Sequence, residues 1–562
     1  MVINMKKHFK KIILVILLVS IISIVYILIN KIYDKNLKSK INNVSYLRKN
    51  VSITEDYMLG DNVLSVNKVS DIDIYSKNYR KVIDEKINKL TNKTYDFSSP
   101  LLIYNPYGTN SSGINIYFNT KEKSYITYKI KVSNSNIKDY VNTPRNDGYN
   151  NLTKNHKYQI TGLVAGKNQI IEINLYNKDG KKIKTNKINV YIPKSEVDIS
   201  LSKEKGTSKE KLTNGLYALL GHDKNFNSNI YLYDNDGILR VEVPLNGYRT
   251  DRIVMIDNNM FYSYSKNEFA QVDKLGKVIN TYKIDGYEMH HDYIYDSSNN
   301  KVIILANKNG EDTIEDRVLT LDLNTKEVKE IINMKDFALD FYQTAVKPDG
   351  KNTYGGDELD WIHLNSLSLN GDDLILSSRE FSTIFCIKDI YNFPTLKYVI
   401  GDETIYSGTS LENYALKKQG SFISQAGQHT ITYEFDNTLP SNSYYIIMYN
   451  NNFASSRTRP NFNWEPFTGA GTYTKGTSSK YYKYLVNEND KTYTLVDSFD
   501  TDYSSIVSSV QDIGNNTVTS SGKNNSFSEY DKDHNLIAKF TYNSKKYAYR
   551  VFKYDFKSFW SY

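Results

Sequence analysis

The sequence predicts an all-β protein: a six-bladed β-propeller preceded by a small N-terminal β-sandwich domain and an N-terminal transmembrane helix. Three observations predict it. The composition favours strands, because 49 tyrosines stand against only 28 glycines and 10 prolines in 562 residues, and aromatic side chains suit a pleated surface. A strand, a polar turn and a second strand recur six times beyond residue 214. An uncharged apolar run of 18 residues occupies positions 12–29.

The apolar run comes first. At about 1.5 Å per residue it reaches roughly 27 Å, enough for a bilayer core. Lys6, Lys7, Lys10 and Lys11 precede it, and no small-x-small cleavage site follows it. The segment 1–33 is therefore expected to be an uncleaved membrane anchor, with the rest of the chain extracellular. Lys31, Lys35, Lys38 and Lys40 balance the lysines before the span, so the positive-inside tally is a tie.

Residues 34–97 are polar and mixed, with helix expected over 79–90, and suggest a stalk or packing segment. Residues 98–195 alternate short strands with turn signals. Strands are expected at 114–118, 125–132, 158–160, 169–176 and 188–192, with Asn177-Lys178-Asp179-Gly180 as one of the turns. That spacing over about a hundred residues indicates a β-sandwich. Residues 196–213, rich in Ser, Lys and Glu, are expected to be a linker. The repeats of 214–562 place their turns at 234–237, 273–277, 322–326, 388–389, 487–490 and 531–533. Six such units make a six-bladed propeller, whose closure hides most strand edges.

Composition excludes several classes. There are 71 basic and 63 acidic residues, a net charge of +8, of which +4 remains beyond residue 30. That is too mild for a nucleic-acid protein. One cysteine, Cys386, allows neither an internal disulfide nor a cysteine-rich zinc site. No phosphate-binding loop, dinucleotide fingerprint or serine nucleophile elbow is present.

The chemistry concentrates in the histidines. Of eight, four fall in three repeat-like settings: Met289-His290-His291-Asp292-Tyr293, Asp360-Trp361-Ile362-His363-Leu364-Asn365-Ser366 and Gly427-Gln428-His429-Thr430-Ile431. Each setting opens a strand that follows a loop. In a propeller the first strand of each blade lines the central channel, so these histidines are expected to meet at one mouth. Arg379 joins them by hairpin register. The turn Asn370-Gly371-Asp372-Asp373 is an Asn-Gly signal and sets His363 opposite Glu380, with Arg379 opposite Leu364. A one-residue slip would carry Arg379 to the other face. Neutral imidazoles at one funnel also suit a metal. A guanidinium beside them suits an oxyanion better. Asp292 and Asp360 are expected to be turn residues or histidine orienters, and Trp361 to be blade packing.

These residues resemble those of the bacterial arylsulfate sulfotransferases, the aryl-sulfate sulfotransferases independent of phosphoadenosine phosphosulfate. The likeness is carried by His290-His291-Asp292, by the phrase 360–366 with Arg379 after it, by Gln428-His429 followed by Phe435-Asp436-Asn437, and by Asn105-Pro106-Tyr107-Gly108-Thr109-Asn110 in the N-terminal β domain. It covers residues 98–562. The resemblance implies transfer of a sulfuryl group from a phenolic sulfate ester to a phenol by a ping-pong route. It implies no cofactor and no metal. A histidine becomes transiently sulfated, and by motif it is His429. His363 and Arg379 would hold the sulfuryl oxygens with help from Asn365. His291 is the better candidate for the remaining histidine, with His290 as the fallback. Thr519, with its neighbour Ser520, is the candidate contributed by the last blade. Thr430 stands where the resemblance leads one to expect an aspartate, and the uncleaved anchor departs from the cleaved export signal of well-known members. The implied partners are small phenols, the membrane through the N-terminal helix, and no nucleic acid; a propeller presenting its sandwich is also compatible with a homodimer. Two other classes of function fit the propeller: a non-catalytic surface protein that binds a polymer or ligand, and a metal-dependent polysaccharide lyase or hydrolase.

Overall fold

The computed structural model describes residues 43–67, 72–221, 229–247, 249–352, 355–544 and 547–562. The expected span at 12–29 lies outside them. Among the described residues no helix is long and apolar enough to cross a membrane.

The segment read as a stalk or packing segment is packed structure. The helix Lys77–Thr91 is capped by Ser76, whose hydroxyl accepts the Tyr79 N–H at 3.2 Å. Its apolar stripe of Tyr79, Val82, Ile83 and Ile87 follows helical spacing and is buried in one cluster with Leu216, Ala218 and Tyr262 of the propeller. The strands Ser52–Glu55 and Val63–Asn67 extend the N-terminal sheet, the second lying parallel to Leu101–Tyr104.

The two strands expected at 114–118 and 125–132 are halves of one strand, Ile114–Val132. Its first half pairs with Leu101–Tyr104 and Thr153–Ile160, its second with Asn168–Asn177 and Tyr140–Asn142. The register shifts between Asn119 and Ser124. One bent strand thus serves both layers of the sandwich around a core of Ile116, Phe118, Ile126, Tyr128, Ile171 and Ile173.

Six sheets follow, and all six repeats of the sequence fall on them. The turn of each repeat joins the third and fourth strands of a blade, counted from the channel. Asp234, Asp273, Asp322 and Asp531 each accept two backbone N–H groups of their turn through Oδ1. An Asx turn reverses the chain without a long loop, which is why the repeat is marked by polar residues. Both faces of a blade are covered by its neighbours. Ile375, Ile384 and Ile400 of the fourth blade pack with Ile446 and Tyr484 of the fifth.

The ring is closed from both ends of the propeller. Arg550–Tyr554 is the innermost strand of the first blade, beside Leu216–Leu220. Ser202–Lys205, within the expected linker, is the outermost strand of the last blade, beside Leu536–Thr541. The remaining inner strands are Val254–Ile256, Tyr287–Asp296, Leu364–Asn370, His429–Glu434 and Ser509–Ile513.

One buried carboxylate ties this inner ring together. Asp292 of the third blade receives Arg252 Nε at 2.8 Å and Nη2 at 3.1 Å, from the segment before the second blade. It also receives Arg550 Nη1 at 2.8 Å and Nη2 at 3.2 Å, from the first blade. Asp292 and Arg550 are both fully buried. Burial alone would raise the Asp292 pKa, but the two guanidiniums outweigh it and hold the carboxyl below its usual range. Removing one partner of such a group strands the others without solvent, at a cost of about 3–5 kcal/mol. Asp292→Ala is therefore expected to lower the urea midpoint of unfolding by an amount worth about 3–5 kcal/mol; a loss below about 1 kcal/mol would show that the ring does not rest on this clasp.

Candidate active site

The inner strands of the third, fourth and fifth blades start with the same irregularity. Their registers shift between Met289 and Tyr293, between Leu364 and Ser366, and between His429 and Thr432. His291, His363 and Thr430 have φ of 57°, 52° and 53°, and Ser508, before the sixth inner strand, has 92°. Left-handed backbone at non-glycine residues is strained and clusters where function holds it. Bulges re-aim side chains, and here they occur at the channel mouth where the histidines stand.

The bulge at Asn365 changes the expected pairing by one residue. Leu364 lies opposite Ser378, and the Arg379 N–H donates to the His363 carbonyl at 3.1 Å. Arg379 is thus the partner of His363 itself. The hairpin turn had specified the register only up to the bulge.

His429 is buried, with Nδ1 2.7 Å from Asn451 Oδ1 and 3.1 Å from the Gly427 carbonyl. Asn451 donates both amide hydrogens, to Ser504 O at 2.7 Å and Val507 O at 3.0 Å. Its oxygen must therefore face the ring, so His429 Nδ1 carries the hydrogen and Nε2 keeps the lone pair. Burial, then Arg379 and His363, hold His429 well below the ordinary histidine range, so the ring is neutral. Thr430, where an acidic orienter was expected, donates instead to the Ser508 carbonyl at 3.0 Å. Asn451 orients the ring in its place.

His363 has the opposite environment. Its Nδ1 lies 2.7 Å from Asp360 Oδ2 and also contacts Glu315 Oε2. Burial and Arg379 act to lower its pKa, but the two carboxylates outweigh them and push it up to about 9. Arg379 Nη2 lies 3.7 Å from the same Asp360 oxygen.

The His290–His291 pair separates clearly. The His291 ring is 4.9 Å from His363 and 5.2 Å from Tyr549, whose own ring is 6.4 Å from His429. His290 lies behind it, fully buried, with the two Nδ1 atoms 2.9 Å apart. Glu315 Oε1 is 3.5 Å from His291 Nδ1, which favours the shared hydrogen on His291 and a lone pair on its Nε2. Burial, His363 and His290 hold His291 well below the usual range. His291 faces the site and His290 backs it.

Two expected residues act differently. Asn365 is fully buried and donates through Nδ2 to the Gln428 carbonyl at 2.7 Å. Its own carbonyl accepts from the Tyr549 hydroxyl at 2.9 Å. It braces the peptide before His429. Thr519 lies in the second strand of the last blade, opposite Val510 and Ser528, one strand away from the channel. Ser508 is the last-blade residue at the mouth. Trp361 is fully buried and donates to Asp316 Oδ2 at 2.9 Å, as blade packing.

Sequence reasoning missed Glu315, Asn451, Tyr549 and Arg249, whose guanidinium lies 4.5 Å over the Tyr549 ring. Repeat equivalence carried a signal for two of them. Asn451 directly follows the second strand of its blade, as Arg379 does in the fourth, and Arg249 precedes the second blade's inner strand. Side-chain donors of His290, His291 and Glu315, and of Glu315, Asp360 and His363, approach within 4.8 Å of one another. These groups are better described as a proton-holding cluster. The two Nδ1 atoms of His290 and His291 share a hydrogen, His363 is charged, and Arg379 adds a further positive charge beside Asp360.

The fold and site together define a β-propeller that gathers histidines from three successive blades, with an arginine among them, at one mouth of its channel. The family model for arylsulfotransferase (ASST) matches residues 201–560, and that for the arylsulfotransferase Ig-like domain matches residues 101–193. The chain belongs to the arylsulfotransferase family, and membership implies aryl sulfotransferase activity. No curated protein matches the chain. Similar solved structures include a putative 6-phosphogluconolactonase from Bacteroides fragilis, 10% identical over 78% of this chain and 99% of that one, with a TM-score of 0.34. A second, from Bacteroides uniformis, is 9% identical over 76% and 99%, also at 0.34. BamB from Moraxella catarrhalis is 9% identical over 64% and 96%, at 0.29. Likeness this distant carries no argument about function.

Asn451→Ala is expected to lower kcat for an aryl sulfate at least about tenfold with little change in KM, because it frees the tautomer and orientation of His429. Equal kcat in variant and wild type would remove Asn451 from the machinery.

Proposed function

We propose that the protein moves a sulfuryl group from a phenolic sulfate ester to a phenol through a sulfohistidine on His429. The observation that carries this is the Asn451–His429 bond, which places the hydrogen on Nδ1 and leaves the lone pair on Nε2, in a ring on which Arg379 and His363 both act electrostatically. A neutral imidazole is a competent nucleophile near neutral pH and needs no metal.

In the first half-reaction Nε2 forms a bond to sulfur, and the aryl oxygen departs with its bonding pair. The His429 Nδ1 hydrogen stays with Asn451 throughout. In the second half-reaction the acceptor phenol gives its proton to neutral His291, and its oxygen attacks sulfur. The N–S bonding pair returns to Nε2. His291 then passes the proton to the departed phenolate or to water, so that over the cycle one proton moves from acceptor to leaving group. His363 and Arg379 offset charge on the transferring group, as cationic donors do in the loose transition states of phosphoryl transfer. The same proposal keeps residues 12–29 as a membrane anchor with the propeller outside the cell; fractionation is expected to recover the chain with membranes and to lose that association when the run is deleted.

The test is incubation of the full-length chain with p-nitrophenyl sulfate, with and without phenol, beside His429→Ala and a chelator. Acceptor-dependent nitrophenol release, abolished in His429→Ala, indifferent to chelator and giving parallel double-reciprocal lines, is the expected result. No release across several aryl sulfates from folded protein would favour a propeller that only binds. Loss of activity with chelator would favour a metal-dependent reaction.

A further inference from the structure

Glu315 is an unexpected use of a carboxylate. It is fully buried and lies between the second and third strands of the third blade, with φ of 61°. Its N–H donates to Asn307 Oδ1 at 2.6 Å, and its carbonyl accepts the Leu364 N–H at 2.9 Å, so the strained backbone is pinned from both sides. The cation two residues along the chain is engaged elsewhere, since Arg317 pairs with Asp316, Glu311 and Glu330. Burying a carboxylate is costly unless it is paired, and this side chain lies against His363 and His291.

We propose that Glu315 is a positioning residue of the transfer site: with Asp360 it brackets His363 Nδ1 and keeps that ring an imidazolium at neutral pH, so that His363 acts there as a charged donor rather than as the proton carrier. The inference rests on the sulfuryl-transfer reading above and deepens it. Two carboxylate oxygens against one ring nitrogen require an N–H there: Asp360 Oδ2 accepts it, and Glu315 Oε2 adds an ionic contact. His363 Nε2 is buried and has no hydrogen-bond partner among the described residues. A charged ring with one N–H uncommitted matches an anionic group with several oxygens. Proton carriage then falls to His291, whose environment keeps it neutral.

The groups facing His363 are Glu315, His290 and His291 from the third blade, Asp360 from its own loop, Arg379 from the paired strand, and His429 from the fifth blade. Burial and the cations disfavour its charge; the two carboxylates outweigh them. A histidine whose pKa is raised in the folded state keeps its charge below that value and loses it as pH rises through about 9.

The test is a titration of the full-length chain carrying histidine labelled with 13C at Cε1, the His363 resonance being assigned by its loss in His363→Gln. A midpoint near pH 9, moved down by about one unit or more in Glu315→Gln, is expected. In parallel, the loss of kcat/KM for p-nitrophenyl sulfate in Glu315→Gln should grow about threefold between pH 6.5 and 8.5, the change in the ratio of charged fractions when a midpoint near 9 falls by about one unit. A His363 midpoint at or below about 6.5 in wild type overturns the proposal, as does an activity loss of the same factor at every pH. If Glu315→Gln does not fold, Glu315→Asp draws the carboxylate back from the ring and should give an intermediate midpoint, an unmoved one overturning the proposal. The resonance titrates whether or not the protein turns over aryl sulfates, so failure of the charge assignment and failure of the transfer reading are told apart.

Discussion

A carboxylate sealed from water sits at the centre of the propeller with an arginine bound to each side. Asp292 joins Arg252, Arg550 and the start of the third inner strand, and its Oδ2 also reaches the Leu367 N–H at 3.4 Å. Four inner strands are thereby referred to one point. The site lies immediately around it: His291 is the residue before Asp292, and Tyr549 the residue before Arg550. The positions of the channel-mouth side chains relative to one another follow from this bond. Its electrostatic cost is offset because both oxygens are fully engaged by paired guanidinium donors.

Around that point the fold sets histidines to different charges by environment alone. His429 meets an amide oxygen and carbonyls and is neutral. His363 meets two carboxylates and is charged. His291 is crowded by other bases and is neutral. Groups of one chemical type whose surroundings push them apart are the usual way a single site obtains both nucleophile and electrostatic clamp. Here the surroundings come from different blades: Glu315 from the third reaches the histidine of the fourth, and Asn365 from the fourth braces the peptide before the histidine of the fifth. No one blade holds a working set.

The blade count was readable because every repeat carries a polar turn, an Asx turn in four of the six, which is a local device with a local signature. The histidines were readable because they open strands in equivalent repeats. Arg379 was readable to within one residue; the bulge at Asn365 that corrects its register has no mark in the Asn-Gly turn from which the register was inferred. Glu315 and Asn451 escaped because each acts on a histidine far away in sequence, and nothing local distinguishes a buried carboxylate or amide from a turn residue. Thr519 was expected at the mouth only from the resemblance, and the strand it belongs to is the second of its blade rather than the first. The linker at 196–213 concealed a strand because Ser202–Lys205 is exposed along its whole length and has no apolar alternation to reveal it.

The closure of the ring bears on how the protein is made. The strand Arg550–Tyr554 completes the first blade, so that blade lacks its innermost member until nearly all of the propeller has been synthesised. Tyr549 and Arg550 arrive with it. A nascent chain that already carries all of the histidines therefore still has an unclasped Asp292 and no ring between His291 and His429. The last piece of the reactive mouth is synthesised after the strands of the five other blades, and a ribosome that stops before it releases a chain with every histidine of the site and without the arginine and ring that organise them.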